Sequence, residues 1–208
     1  MKTFQLSEKL LNRIADLIQA KKNTQLKKLV KDIHYADMAE IINELNQDQG
    51  TYLIKLFDSQ KTSDILAELD EDVREKILKE LSVKEIADEI EELDSDDAAD
   101  ILGELSDERK EEVISEISDD NLVDDLKELL SYEEDSAGGL MAKELVKANE
   151  NWSVTKCLKE IKKQGENVTR VHSIYVTDDK EKLIGRLSLK DLITSPNKKL
   201  IKDIYIPK

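Results

Sequence analysis

Read in steps of twelve, the chain places Ile33, Leu45, Phe57, Leu69, Leu81, Leu93, Leu105, Ile117 and Leu129 in an unbroken apolar ladder. The residues that follow the first eight rungs are His34, Asn46, Asp58, Asp70, Ser82, Asp94, Ser106 and Ser118. Nearly all are types whose side chain accepts a hydrogen bond from a first-turn amide, so a new helix is expected to begin at each point. Nine positions after those rungs stand Ile42, Ile54, Leu66, Leu78, Ile90, Leu102, Ile114 and Leu126, which return the chain to a core three residues before the next rung. Each unit thus predicts one short helix and a tight corner.

A helix of two or three turns cannot bury enough surface alone, so such units must stack on their neighbours as a solenoid, right- or left-wound. One long helix is the competing reading, because the repeat contains no proline. A straight helix, however, would rotate its apolar stripe by ~120° every twelve residues and scatter the rungs. Before the array, "SEKLLNRIADLIQAKK" is an amphipathic helix capped at Ser7 and docked through Leu10, Leu11, Ile14, Leu17 and Ile18, the expected first turn of the superhelix.

The pattern changes after "YEEDSAGGLM". Gly138 and Gly139 mark a hinge or tight turn, and beyond them the order is strand, helix, strand, turn, strand, helix. Ser153 is the expected cap of the helix "VTKCLKEIKKQ", which ends at Gly165. "HSIYVT" and "LIGRLS" read as strands joined by "DDKEK", and Ser188 caps a last helix, "LKDLI", that stops near Pro196. The expected fold is therefore mainly α: a superhelix of short helices over residues 1–130, a hinge or linker over 131–140, and a small α+β unit over 141–208.

Composition narrows the function classes. Aromatic residues are 4% of the chain, which favours many small aliphatic contacts over one thick core. Residues 64–128 hold 27 acidic and 7 basic residues, a net −20 in a chain of net −15, so the remainder carries +5. Such a field repels nucleic acid and attracts small cations or basic partners. The apolar residues recur too regularly for a disordered acidic tract. No apolar run approaches the ~20 residues that cross a bilayer, and the first residues lack a signal-peptide pattern, so the chain as it stands is expected to be soluble and cytoplasmic. Cys157, the lone cysteine, is expected to be a small buried hydrophobe. His34 and His172 have no companions at ligand spacing. Trp152 is expected to pack the start of its helix on the sheet. No nucleophile, base and orienting group fall in one motif, and no enzyme activity is assigned.

The acids from Asp94 to Asp100 raise a specific question. If Asp94 is the N-cap, Asp97 is at N3, where its carboxylate can reach back to the cap amide and meet the positive helix end. Asp96 and Asp100 are i and i+4 on one face, a like-charge pair that destabilises a helix by ~0.2–0.5 kcal/mol. A divalent ion between them would remove that repulsion. Magnesium, a hard cation that keeps several waters, suits a few carboxylates on facing elements. Asp64 follows Asp58 by the interval that separates Asp100 from Asp94, so the repeat places Asp64 and Asp100 at equivalent points of different helices.

Two motifs carry a resemblance to a known family. "LIGRLSLKDLI", with Gly185, Ser188 and Asp191 spaced G-x-x-S-x-x-D, looks like the end of a CBS motif, and "YEEDSAGGLM" before it resembles the cytosolic part of MgtE-type magnesium transporters. The resemblance implies a helical N domain, a pair of CBS motifs, a connecting helix and a transmembrane pore, in a homodimer gated by cytosolic magnesium. This sequence stops after "LIKDIYIPK", where a second CBS motif would start, and is expected to be a piece of a longer protein at the cytoplasmic face of the membrane. The resemblance further implies that Asp64, Asp96 and Asp100, with Asp97 beside them, bind Mg2+ as half-sites completed by acids of the second motif. It also implies an adenine nucleotide in the CBS cleft, with Asp191 on ribose and Ser188 or Lys190 towards phosphate. On residues alone, Ser188 is simply a cap and Asp191 a first-turn acid. The alternative function is a solenoid scaffold for protein interaction, similar to flagellar motor switch proteins, whose concave face would take a basic helix.

Overall fold

The computed structural model describes residues 6–133, 135–165, 168, 171 and 173–208. It divides into two compact units, residues 1–141 and 142–208. The described chain is mainly helical, with one four-stranded sheet in the second unit.

The first unit begins with α1 (Glu8–Gln19) and α2 (Asn23–Val30), followed by the repeat helices α3 (Tyr35–Asn43), α4 (Gln47–Ile54), α5 (Ser59–Glu68), α6 (Glu71–Glu80), α7 (Val83–Ile90), α8 (Ser95–Gly103), α9 (Asp107–Glu116) and α10 (Asp120–Leu129). Ser7 caps α1 as expected, and Ile14, Leu17 and Ile18 are its buried stripe. Seven of the expected N-caps, from His34 to Ser106, stand where the ladder puts them. Asn46 and Ser82 form full capping boxes with Gln49 and Glu85, each satisfying two otherwise unpaired backbone donors.

The eighth cap is corrected by one residue. Asp119, not Ser118, caps α10, accepting from the amides of Asn121 and Leu122. The reason is tertiary: Ile117 leaves α9 in an extended conformation, and the Ser118 amide donates to the Glu91 carboxylate.

Alternate helices pack together: α3 on α5, α5 on α7 and α7 on α9 in one row, α4 on α6 and α8 on α10 in the other. The twelve-residue unit of the sequence is therefore half of a two-helix turn. The column that returns to the core is fully buried at Ile42, Ile54, Leu66, Leu78, Ile90, Leu102 and Leu126, whereas many ladder rungs sit half-buried at the corners.

Helices of eight to ten residues leave most of their backbone groups near an end, and the C-terminal carbonyls need donors. Basic side chains supply them. Lys61, at the third position of α5, donates to the carbonyls of Val30 and Ile33, 31 and 28 residues earlier. Arg109, at the third position of α9, donates to Leu78 and Leu81, again 31 and 28 residues earlier. The two devices are related by four repeats. Arg74 on α6 does the same for the end of α5, donating from Nη1 to the carbonyls of Leu66, Ala67 and Leu69, while Nε meets the Glu104 carboxylate at 2.9 and 3.1 Å. That pair is 13% and 12% exposed and bridges α6 to the end of α8.

Gly138 lies in the turns that close this unit. A Cβ there would stand 2.6 Å from the Tyr132 ring, so the glycine serves close approach of an aromatic side chain, and its φ is not in the left-handed region.

The second unit is a sheet in the order β1 (Val146–Asn149), β2 (Ile174–Thr177), β3 (Leu183–Leu187), β4 (Ile206–Pro207). β1 and β2 are parallel and joined through α11 (Val154–Gln164), which packs on β1; β2–β3 and β3–β4 are antiparallel. Ser153 caps α11 and Gly165 ends it, as the sequence predicts. His172, at the start of the predicted strand "HSIYVT", lies outside the described residues. Asp178 holds the β2–β3 turn by accepting from the amides of Lys180 and Lys182. A short helix α12 (Leu189–Thr194), a single 3-10 turn at Ile201–Asp203 and β4 complete the unit, the last two unanticipated. Cys157 is fully buried, and burial pushes its thiol up to about 11. Trp152 packs against this core with the Lys156 ammonium 4.7 Å from its ring centre.

Replacing Arg109 or Lys61 with Met is expected to lower the stability of the first unit by about 1.5–3 kcal/mol, the range for hydrogen bonds made by charged donors. The same change at exposed Lys84 should stay within about 0.5 kcal/mol in urea unfolding. Equal effects at all three would show that the carbonyl contacts contribute nothing special.

Candidate functional site

Asp94 is the N-cap residue of α8, as expected, but its side chain makes no capping bond to the first-turn amides. The capping box expected from Asp97 is therefore not formed. Its carboxyl is instead pushed up to about 6, first by lost hydration and then by Asp96, Asp94, Asp100 and Glu68. Favourable helix-end interactions would have moved it down. Asp97 is exposed as a residue, with four other carboxylates, those of Asp96, Asp94, Asp100 and Glu68, crowding it.

Register explains the crowding. Asp97 is at the third position of α8, the place held by Lys61 in α5 and Arg109 in α9. Counting back 31 and 28 residues from Asp97 reaches Leu66 and Leu69, whose carbonyls Arg74 covers. An acid thus occupies the position that α5 and α9 fill with a base, and a cation from another helix serves the helix end in its place. In α7 the same position is Glu85, which accepts from the Ser82 amide at 2.7 Å and pairs with Lys55 at 3.2 Å. These contacts, the backbone one first, hold Glu85 below the usual glutamate range.

Asp64 is half-buried on α5 and is raised by burial, with His34 opposing and Asp94 adding to the shift. The superhelix therefore brings Asp64 into the electrostatic reach of the α8 N-terminus. Asp96 is half-buried and Asp100 exposed, one turn apart on α8. Asp100 adds to the negative field at Arg74, behind the Glu104 carboxylate. Among the described residues, no three His, Cys, Asp or Glu side chains converge in a geometry that could hold a metal ion. Asp64, Asp96, Asp97 and Asp100 are thus gathered in one field without forming a closed coordination shell. His34 acts as the N-cap of α3, accepting from the Ala36 amide, and stacks on Tyr35.

In the second unit the G-x-x-S-x-x-D spacing has a local account. A Cβ on Gly185 would meet the Ile206 carbonyl at 2.3 Å, so glycine there lets β4 pair with β3. The Ser188 hydroxyl accepts from the Asp191 amide at 3.0 Å and donates to the Asp191 carboxylate at 2.7 Å, a reciprocal cap of α12. Lys190 is exposed.

Two charged groups escape the apolar ladder. Arg74 carries no sequence signal beyond being one of seven bases in the acidic segment. Glu89 does have one: in steps of twelve from Ile41 come Leu53, Ile65 and Ile77, then Glu89, then Ile101 and Val113.

Comparison with known proteins matches residues 33–135 to the MgtE intracellular N domain and residues 137–197 to the CBS domain. Magnesium transporter MgtE of Thermus thermophilus is 39% identical over 80 residues, 38% of this chain and 18% of that protein. Magnesium transporter MgtE of Enterococcus faecalis is 36% identical over 76 residues, 36% of this chain and 17% of that protein. The matched segments thus span less than a fifth of these relatives. Two solved structures share the fold: the soluble part of a magnesium transporter (TM-score 0.79, 25% identity, 97% of this chain and 79% of that one) and the cytosolic domain of the Mg2+ channel MgtE in complex with ATP (TM-score 0.86, 27% identity, 95% and 81%). None of the described helices is long and apolar enough to cross a membrane.

Because Asp97 holds its proton more tightly folded than unfolded, the folded state gains relative stability as pH falls from about 6 towards 4 and loses it as pH rises through that window. In metal-free buffer, Asp97→Asn should therefore melt higher than the parent at neutral pH, by less than about 1 kcal/mol given its exposure, and match it near pH 4. A lower melting temperature at neutral pH would restore the helix-end role for Asp97.

Proposed function

The chain belongs to the MgtE family, as an intracellular N domain followed by a CBS domain, and from that premise we propose that it is the magnesium-sensing regulatory region of a magnesium transporter. The observation that supports this most directly is the acidic field around α8, where Asp64 and Asp97 are both raised by lost hydration and by neighbouring carboxylates. Such groups bind a hard divalent cation in exchange for mutual repulsion. Asp64, Asp96 and Asp100 are the proposed ligands, with Asp97 beside them as an auxiliary acid. In this reading, low magnesium leaves the acids repelling one another and the region extended, and bound magnesium screens them and favours a compact state. The cation then has the differential affinity for two states that a switch requires.

The proposed partners are a second CBS motif, which completes the half-sites, a transmembrane pore whose gating the region controls, and a second copy of the chain in a homodimer. An adenine nucleotide is a further proposed ligand of the CBS part, at Ser188, Lys190 and Asp191, supported by the ATP held by one structural relative. The CBS domain also favours this reading over an interaction scaffold, which has no need of one.

Limited proteolysis and thermal melts of the intact cytosolic region, with and without millimolar Mg2+, test the proposal. At ten times the dissociation constant, magnesium should stabilise the folded region by about 1.4 kcal/mol and slow its cleavage. The paired replacement Asp96→Asn and Asp100→Asn should abolish that shift while leaving α8 helical. A double variant that keeps the parental response removes these two acids from the site, and a parent without any response removes magnesium sensing.

A further inference from the structure

Glu89 stands in a column of the superhelix that is apolar at every other step from Ile41 to Val113. Its repeat equivalents Ile41, Leu53, Ile65, Ile77, Ile101 and Val113 are each no more than 2% exposed. Glu89 lies in the last turn of α7, and its Oε2 is buried without a hydrogen-bond partner among the described residues. The residue as a whole is half-buried, but this oxygen forfeits hydration without a hydrogen bond in return.

The charges around it make this worse. On α7 itself Glu85 and Asp88 face it, Glu92 follows the helix, and Asp58 approaches from the N-terminus of α5. Bases of the neighbouring helices have acceptors of their own, while the Arg109 Nε, like the Glu89 Oε2, is buried without a hydrogen-bond partner among the described residues. Lys61 of α5 donates to Val30 and Ile33, Lys55 to Glu85 and the Glu80 carbonyl, and Arg109 of α9 to Leu78 and Leu81. Lys110 of α9 pairs with Asp107 at 3.7 Å, and the remaining acids of α9, Glu108, Glu111, Glu112 and Glu116, are exposed. In the other part of α5, Asp64 is half-buried and Glu68 exposed.

We propose that Glu89 is a proton-operated latch in the superhelix: protonated, it completes the apolar column and holds the last turn of α7 against α5 and α9; ionised, it must reach water and releases that turn. The direction of titration agrees, since burial first, and then Asp88, Glu92, Asp58 and Glu85, push the carboxyl up to about 8. With the folded value above the unfolded one, the folded state binds more protons across the interval from about 4.5 to about 8. Stability tied to Glu89 is therefore present in full below that interval and is lost as pH rises through it. The latch needs no metal and is independent of the magnesium reading.

Urea unfolding of the whole chain between about pH 5 and pH 9, in buffer containing a chelator, compares the parent with Glu89→Gln and with Glu89→Leu, which restores the column. The folding constant of the parent relative to either variant should fall by up to about tenfold per pH unit within the interval and level off above about pH 8. Parallel curves for parent and variants overturn the latch. A carboxyl titration of the parent by carbon NMR needs no variant: a midpoint above pH 7 is expected, and its absence overturns the proposal. Release of the turn is read by hydrogen exchange of α7 amides at about pH 8.5, faster in the parent than in Glu89→Gln. Equal protection there overturns the latch as well.

Discussion

Short helices must satisfy their ends. With repeat helices of eight to ten residues, the four amides and four carbonyls that an α-helix leaves open at its termini amount to most of its backbone, so end chemistry governs the superhelix as much as core packing does. In α3, α4, α5, α7 and α10 an N-cap side chain meets first-turn amides locally. The carbonyls are met at a distance, by Lys61, Arg74 and Arg109 reaching from another helix. Because these donors carry charge and are partly removed from water, each holds two or more carbonyls and fixes the spacing of a helix row.

That frame explains where the acids can and cannot be accommodated. The third position holds a base in α5 and α9 but a carboxyl in α7 and α8, and a carboxyl among so many acids needs help. Glu85 has it from the Ser82 amide and Lys55. Asp97 is instead raised, by lost hydration first and then by Asp96, Asp94, Asp100 and Glu68. Glu104, although poorly exposed, is compensated by Arg74. The segment with the greatest excess of acid thus contains some carboxyls already neutralised by the fold and others left for a proton or a cation. The proposed sensing function rests on this second class.

In the CBS unit the same residues that suggest a ligand also build the fold. Gly185 admits β4 beside β3, and Ser188 and Asp191 cap α12 reciprocally. A short motif of this kind is therefore a better guide to local structure than to a ligand, because its side chains already have partners within the fold.

Local pattern determined a great deal. The twelve-residue ladder, seven of the repeat caps, α1, α11, α12 and three of the four strands follow from apolar period and cap residues, because those preferences act over a few neighbours along the chain. Tertiary structure alone decided the pairing of every second helix, the shift of the last cap to Asp119, the burial of the Arg74–Glu104 pair and the unmet carboxyl of Asp97. The first three depend on groups far apart in the chain that the turn of the superhelix brings together, and the last adds Glu68 of α5 to the carboxylates beside Asp97 on α8. Glu89 lies between the two cases: counting in twelves marks it as an acid in an apolar column, but the lost hydration of its Oε2 is a property of the packed helices, since the burial that removes water from one side chain is made by all the others.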